Sequence, residues 1–269
     1  MIALPKYEEI QELAAPQRRA LILETLRRTQ VVRVAELSQL FGISMVSVRR
    51  DLEIMERKGF LKRIHGGAVA TQVSVVSELL QSKAGHFPLI KERIGKAAAE
   101  LISESDNIII DSGTTPLQVA KNISYNLLNH GNLSVITNSL PILHALGSEK
   151  GVHIIFLGGI YLSNYEVVVG PCTVEQIKTL YADKLFLGTD GLTFTNGITT
   201  ANQLEAEVSQ AMAAASKEVI VVSDSSKIGS KGLTTIVPIT EINKLITDKD
   251  APDEFIAQLK GHGIDVIQV

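Results

Sequence analysis

The sequence predicts an α/β protein in two parts: a small N-terminal winged helix-turn-helix domain, then a larger α/β domain built on a mainly parallel sheet. Three observations carry that expectation. The charge changes sign near Gly66; two short amphipathic helices meet at a glycine just before that point; and β-branched runs alternate with helical ones after it. Between Pro16 and Gly66 stand 11 Lys/Arg against 5 Asp/Glu, a net of +6, while the rest of the chain carries −9 and brings the whole to −3. A basic module on an acidic body points to an anionic partner for one end, nucleic acid first.

At 269 residues, 45% hydrophobic and 20% charged, the chain can bury more than one core. No apolar run approaches the ~18 residues of a membrane span. The start, MIALPKYEEI, lacks the basic stretch and apolar core of a secretory signal. The single cysteine, Cys172, cannot close an internal disulfide. It suits a reducing cytoplasm and is expected as a small buried hydrophobe, and the sequons at Asn122 and Asn132 are then idle.

The basic domain is expected over residues 14–70. From Pro16 to Thr29, Ala20, Leu21, Leu23, Glu24 and Leu26 fall mostly at the spacing of helical burial, with Pro16 where a helix can start. VAELSQLFG then places Val34, Leu37, Leu40 and Phe41 on one face and ends on Gly42, which accepts a left-handed turn. Ser44 can cap a third helix in which Val48, Leu52 and Met55 face inward and Ser47, Arg49, Arg50 and Arg57 outward. The helix-turn-helix is thus set at about residues 32–51. KGFLKRIHGGAVA alternates Phe60, Lys62 and Ile64 with Leu61, Arg63 and His65 and turns at Gly66-Gly67, as a β-hairpin wing with a cationic edge would.

A helix has the right width for the major groove, and arginine forks onto phosphate or guanine. Arg49 and Arg50 lie about 100° apart on such a helix and reach different groups. Asp51 reads as a positioning residue that pairs with a neighbouring arginine and orients these two.

Residues 71–88 show no sustained periodicity and are expected as a linker; residues 89–269 form the second domain. There a helix is expected from Ile90 to Ile102. The strand-like runs NIIID, LSVIT, VHIIFLGG, KLFLGTD, EVIVVSD and IDVIQV follow, among the helical runs TPLQVAKNISYNLL, LPILHALG, QLEAEVSQAMAAAS and DEFIAQLKGHG. Polar and glycine clusters follow the strands: Asp111-Ser112-Gly113-Thr114-Thr115, Thr137-Asn138-Ser139, Gly158-Gly159, Gly188 to Gly191 with Asp190, and Asp224 to Lys227. That edge of an open parallel sheet binds ligands, so the five clusters are expected to share one pocket. Amides at a helix start and Lys227 suit a phosphate; Asp111 and Asp190 suit sugar hydroxyls. Without a Walker motif, G-x-G-x-x-G, paired cysteines or H-E-x-x-H, no nucleotide, metal or other cofactor is expected, and no catalytic residue is assigned.

The run from Arg18 to Ala68 resembles the winged helix-turn-helix of the DeoR family of bacterial transcriptional regulators. It keeps Arg49, Arg50, Asp51, Leu52, Gly59, Leu61, Arg63, His65, Gly66, Gly67 and Ala68 of that family's R-R-D-L and G-x-L-x-R-x-H-G-G-A pattern. It departs at Ser47, where the family usually has threonine, and Met45-Val46 is a variable stretch that helps set operator sequence. IIIDSGTT, VITNS, LGG, VGP, LFLGTDGLTFTNGITTANQLEAEVSQAM and VVSDSSKIG look like the family's sensor domain, a Rossmann-like α/β fold shared with ribose-5-phosphate isomerase and glucosamine-6-phosphate deaminase.

The resemblance covers roughly residues 16–269 and implies a cytoplasmic regulator, a repressor of a sugar-utilisation operon. Double-stranded operator DNA would meet Arg33, Ser44, Met45, Val46, Ser47, Arg49, Arg50, Arg63, His65 and Gly66. A phosphorylated sugar would meet Asp111, Ser112, Gly113, Thr114, Thr115, Thr137, Asn138, Ser139, Gly158, Gly159, Asp190 and Lys227. Paired half-sites call for a homo-oligomer, dimer or tetramer. Ser209 stands where many members carry lysine, so a charge contact made there is missing here. Two other readings compete: a sugar-phosphate isomerase or amino-sugar-phosphate deaminase with Asp190 or Glu205 as base, and a winged helix that binds protein rather than DNA.

Overall fold

The structure, a computed structural model, describes residues 15–29, 31–57, 60–69 and 86–269. The chain divides into two compact units at Val75/Val76. Gly59 and most of the expected linker lie outside the described residues.

The N-terminal unit runs α1 (Ala15–Thr29), β1 (Val31–Arg33), α2 (Val34–Phe41), α3 (Met45–Arg57), β2 (Lys62–Ile64) and β3 (Gly67–Val69). Its core takes Ile22 and Leu26 from α1, Val34, Leu37 and Phe41 from α2, and Val48, Leu52 and Met55 from α3, with Leu61 and Ala68 from the wing. Each large aliphatic side chain so buried contributes about 1.5–3 kcal/mol. In α1 the face is turned slightly from the expected one: Ile22 and Leu26, at i and i+4, are fully covered, while Leu21 and Leu23 pack at its margins. Gly42 ends α2 at φ 63° with its N–H on the Ser38 carbonyl. Ser44 Oγ accepts from Ser47 N–H at 3.2 Å and caps α3. The wing is three-stranded, in the order β1-β3-β2, because Val31–Arg33 pairs antiparallel with β3. Three residues are too few to show a period, so β1 was not expected.

The C-terminal unit continues with α4 (Pro88–Ala99), β4 (Asn107–Ile110), α5 (Thr114–Lys121), α6 (Tyr125–His130), β5 (Leu133–Thr137), α7 (Leu140–Leu146), β6 (Val152–Phe156), β7 (Ile160–Leu162), β8 (Val167–Val169), α8 (Pro171–Ile177) and β9 (Ala182–Leu187). Then come β10 (Gly191–Thr193), β11 (Gly197–Thr200), α9 (Gln203–Ala214), β12 (Ser216–Val222), β13 (Thr234–Val237), β14 (Lys244–Thr247), α10 (Asp253–Gly261) and β15 (Asp265–Gln268). Seven strands form one parallel sheet in the order β15-β14-β12-β9-β4-β5-β6. Because side chains alternate across a strand, the sheet feeds two cores. Ile108, Ile110, Phe186 and Ile220 pack with Ile94, Val119 and Ile142 of α4, α5 and α7. Ile109, Leu185, Leu187 and Val221 pack with Ile177, Met212 and Ile256 of α8, α9 and α10.

Several elements differ from the sequence expectation. TPLQVAKNISYNLL is two helices, parted at Asn122-Ile123-Ser124, where Ser124 Oγ caps α6 by accepting from Leu127 N–H. Strands β7, β8, β10, β11, β13 and β14 were not expected, each being three or four residues long with no alternation to read. Three of them, β10-β11-β13, form a separate antiparallel sheet. Cys172 is exposed rather than buried, since α8 turns Thr173 and Ile177 inward. No helix among the described residues is long and apolar enough to cross a membrane.

Candidate functional site

The order of the large sheet fixes where a ligand can enter. From β4 the chain steps through β5 to β6 on one side; from β9 it steps through β12 and β14 to β15 on the other. The loops leaving the adjacent strands β4 and β9 therefore diverge, and a crevice opens at the carboxyl end of that pair. A cavity of about 410 Å³ lies there. Asp111 to Thr115 line it after β4, Gly188 to Asp190 after β9, and Ser223, Asp224, Ser226 and Lys227 after β12. Helix α9 adds Glu205 and Ser209, and the start of α4 adds His86, Phe87 and Lys91. Tyr165, Val167, Thr200 and Ile236 complete the wall with Pro116.

Gly113 shapes the part of this wall at the start of α5. It precedes α5 at φ 117° and ψ 169°, a conformation that side-chain-bearing residues rarely adopt. The helical ladder begins with Leu117 N–H on the Gly113 carbonyl at 3.1 Å, so the amides of Thr114 and Thr115 have no acceptor within the helix. With the helix dipole behind them, they favour negative charge. Lys227, in a single helical turn after β12, adds a cation to the same cavity.

Asp111 has the opposite character. Burial pushes its carboxyl up to about 6; hydrogen bonds from the Ser112 and Gly188 amides and the Ser209 hydroxyl pull it back, and neighbouring Asp190 pushes it up again. The Gly188 and Ser209 bonds are both 3.3 Å long. Asp190 accepts from Thr200 Oγ1 at 3.2 Å and Ala201 N–H at 3.1 Å, which fastens it to the end of β11. Asp224 caps its own turn through Ser226.

Of the twelve residues expected to share the pocket, Asp111, Ser112, Gly113, Thr114, Thr115, Asp190 and Lys227 line it. The other five do not. Thr137 Oγ1 donates to the Ile110 carbonyl at 2.8 Å and accepts from Ser139 N–H at 3.1 Å, tying β5 to β4. Asn138 Nδ2 donates to the Val168 carbonyl at 2.9 Å. The Gly158 carbonyl accepts from Thr173 Oγ1 and Gln176 Nε2 of α8, and Gly159 packs against Thr173 and Val169. These clusters hold strands and helices together beside the cavity. Sequence reasoning missed Phe87 and Lys91, which follow no strand end, and Tyr165, which lies in the turn between the short strands β7 and β8. Lys91 is only 4% exposed, but a lysine inside an amphipathic helix gives no sign of burial in the sequence.

In the N-terminal unit, every residue expected to meet DNA is exposed: Arg33, Ser44, Met45, Val46, Ser47, Arg49, Arg50, Arg63, His65 and Gly66. Met45 at 49% and Val46 at 71% leave apolar side chains in solvent at the first turn of α3. The Gly66 carbonyl accepts from Val34 N–H at 2.9 Å, which ties the wing turn to the start of α2. Glu56 accepts from Arg63 N–H at 2.8 Å and braces the wing against α3. Asp51 corrects the sequence reading. It is buried beside Leu52 on the inner face of α3 and pairs with Arg18 of α1, with Arg19 farther off at 3.8 Å, rather than with Arg49 or Arg50.

Comparison with known proteins agrees with this two-part architecture. The family described as "DeoR-like helix-turn-helix domain" matches residues 18–73, and "DeoR C terminal sensor domain" matches residues 88–249. The transcriptional repressor AccR of Agrobacterium fabrum is 34% identical over 237 residues, covering 86% of this chain and 88% of that one. The glycerol-3-phosphate regulon repressor of Escherichia coli is 30% identical over 250 residues, covering 93% and 97%. Among solved structures, a D-ribose-5-phosphate isomerase in complex with phospho-erythronic acid aligns with 52% of this chain and 54% of its own, at 14% identity and a TM-score of 0.40. With both domains matched in order and relatives aligned over most of their length, the chain belongs to the DeoR family of transcriptional regulators.

Proposed function

We propose that this regulator acts in the cytoplasm as a repressor of an operon for the use of a sugar or sugar derivative. It binds operator DNA as a homo-oligomer through α3 and the wing, and lets go when a phosphorylated sugar fills the cavity between β4 and β9. The observation that carries the effector half is the cavity itself: free helix-start amides at Thr114 and Thr115 and the Lys227 ammonium supply an anion site, while Asp190 and Glu205 supply acceptors for hydroxyls. For DNA, the carrying observation is the exposed first turn of α3 beside Arg49 and Arg50.

Mechanism follows from linkage. A sugar phosphate that favours one conformation must change operator affinity by the same coupling energy, typically ~1–3 kcal/mol. Asp190 and Glu205 serve as ligand acceptors in this reading rather than as the base of an isomerase or deaminase; the relatives are named as regulators, and the chain is a regulator, not an enzyme. A thermal-unfolding screen of the full chain against phosphorylated sugars and their unphosphorylated parents tests the effector class. A phosphorylated sugar that binds the folded state raises the unfolding temperature by mass action. A rise with the parents alone would remove the phosphate from the account.

A further inference from the structure

Resting on the cavity assignment above, we infer that the effector carries a cationic amino group that sits against Asp111, so that its chemical class is an amino-sugar phosphate rather than a neutral sugar phosphate. Asp111 is 4% exposed and forms part of the cavity wall. The groups that act on its carboxylate are two backbone amides, the Ser209 hydroxyl and the like charge of Asp190, with no cation among them. The Gly188 and Ser209 bonds, at 3.3 Å, lie at the long end of the useful range. A buried ionised carboxylate held only by neutral donors is unfavourable, and an ammonium brought by the ligand removes that cost on binding.

The charge balance of the cavity points the same way. Four carboxylates, Asp111, Asp190, Glu205 and Asp224, line it against two lysines, Lys91 and Lys227. A ligand that is anionic throughout would bring its phosphate to the start of α5, three residues after Asp111, and add repulsion to a site already rich in negative charge. A zwitterion places its phosphate at the amides and Lys227 and its ammonium at the carboxylate. A hydroxyl in the same place could donate one hydrogen bond to Asp111 but would leave its charge unbalanced. At neutral pH Asp111 is ionised, so the charge to be balanced is present when the ligand arrives.

Isothermal titration of the full chain at pH 7.5 tests this. The 6-phosphates of glucosamine and galactosamine are each compared with the parent hexose 6-phosphate and the N-acetyl derivative, which keep the ring and phosphate and lose the charge. Fructose 6-phosphate and ribose 5-phosphate extend the neutral set. The expected result is at least tenfold tighter binding of an amine than of its own neutral partners. That advantage disappears in Asp111→Asn, which keeps the shape of the side chain, and in Ser209→Lys, which supplies a fixed ammonium beside Asp111. If a neutral sugar phosphate binds as tightly as the amine, or the advantage survives in Asp111→Asn, the inference is wrong while the cavity assignment stands. If no phosphorylated sugar of the set binds, both fall.

Discussion

Arg18 of α1 and Asp51 of α3 hold the N-terminal unit together: Arg18 Nε and Nη2 both reach Asp51 Oδ2, at 2.8 and 2.7 Å, and their side chains are 13% and 6% exposed. The acidic residue within the arginine-rich stretch thus serves the support of the recognition helix rather than its reading face. Removing one partner of such a pair strands the other charge, at a cost of about 3–5 kcal/mol when both are fully buried. With Arg18 partly exposed, Asp51→Ala should destabilise the N-terminal unit by about 2–4 kcal/mol and weaken DNA binding through that loss. Urea unfolding followed by a fluorophore on this unit checks it; an unchanged midpoint would show that the pair is idle.

Arg49 and Arg50 should behave differently. Both are exposed on α3, so alanine at either should change stability by no more than about 0.5 kcal/mol. Each substitution should lower DNA affinity, and each lost phosphate contact should reduce the slope of log affinity against log salt by about 0.9. Exchanging Met45 or Val46 should alter which operator is preferred and leave the salt slope alone, because base contacts specify while phosphate contacts position. Anisotropy titrations at several salt concentrations separate the two classes. Binding insensitive to salt throughout would favour a protein partner for the winged helix.

Asp111 makes stability depend on pH in a direction unusual for a carboxylate. In the folded chain it keeps its proton up to about pH 6, while the unfolded carboxyl releases it near 3.8. The folded state therefore binds more protons across that interval, and stability falls as pH rises through it. At ~1.4 kcal/mol per pH unit, the ionised group costs the fold about 3 kcal/mol at neutral pH. Asp111→Asn should accordingly be more stable than the parent at pH 7, by an amount that shrinks toward pH 4. Paired urea titrations across that range measure the difference; a gap of the opposite sign would mean that Asp111 is charged and stabilised.

The helices of the N-terminal unit were legible because three short amphipathic faces converge on one core, and a glycine and a serine mark their ends. Asp51 was legible only as a positioning residue, since its partner lies 33 residues away in sequence and no local pattern joins them. In the second unit the strand-end rule found Asp111 to Thr115, Asp190 and Lys227, because the order of the sheet brings those ends together. It failed for Thr137, Asn138 and Ser139, which also follow a strand but bond to neighbouring backbone and seal its end. Nothing in a linear reading separates a polar cluster that faces a cavity from one that fastens two strands. Phe87 and Lys91 reach the cavity through the packing of α4, which only the tertiary fold reveals.

Gly113 offers a test of the anion site that leaves the charges in place. A Cβ there would find room, its nearest neighbour being Pro116 Cδ at 3.6 Å, so the penalty lies in the backbone angle. Gly113→Ala should cost about 1–3 kcal/mol of stability and turn the Thr114 and Thr115 amides away from the cavity. The expected outcome is a folded protein with at least tenfold weaker effector binding, read by titration calorimetry. Unchanged affinity would remove these amides from the site.

Coupling between cavity and operator can be read in a single titration. A labelled duplex, selected from a random pool by the full chain, is bound and then challenged with the sugar phosphate that gives the largest thermal shift. Wild-type affinity should fall by about 5- to 150-fold, the range that corresponds to ordinary coupling energies. Lys227→Ala should bind the duplex as before and lose the response. A wild-type affinity that does not move while the sugar phosphate is bound would contradict the account.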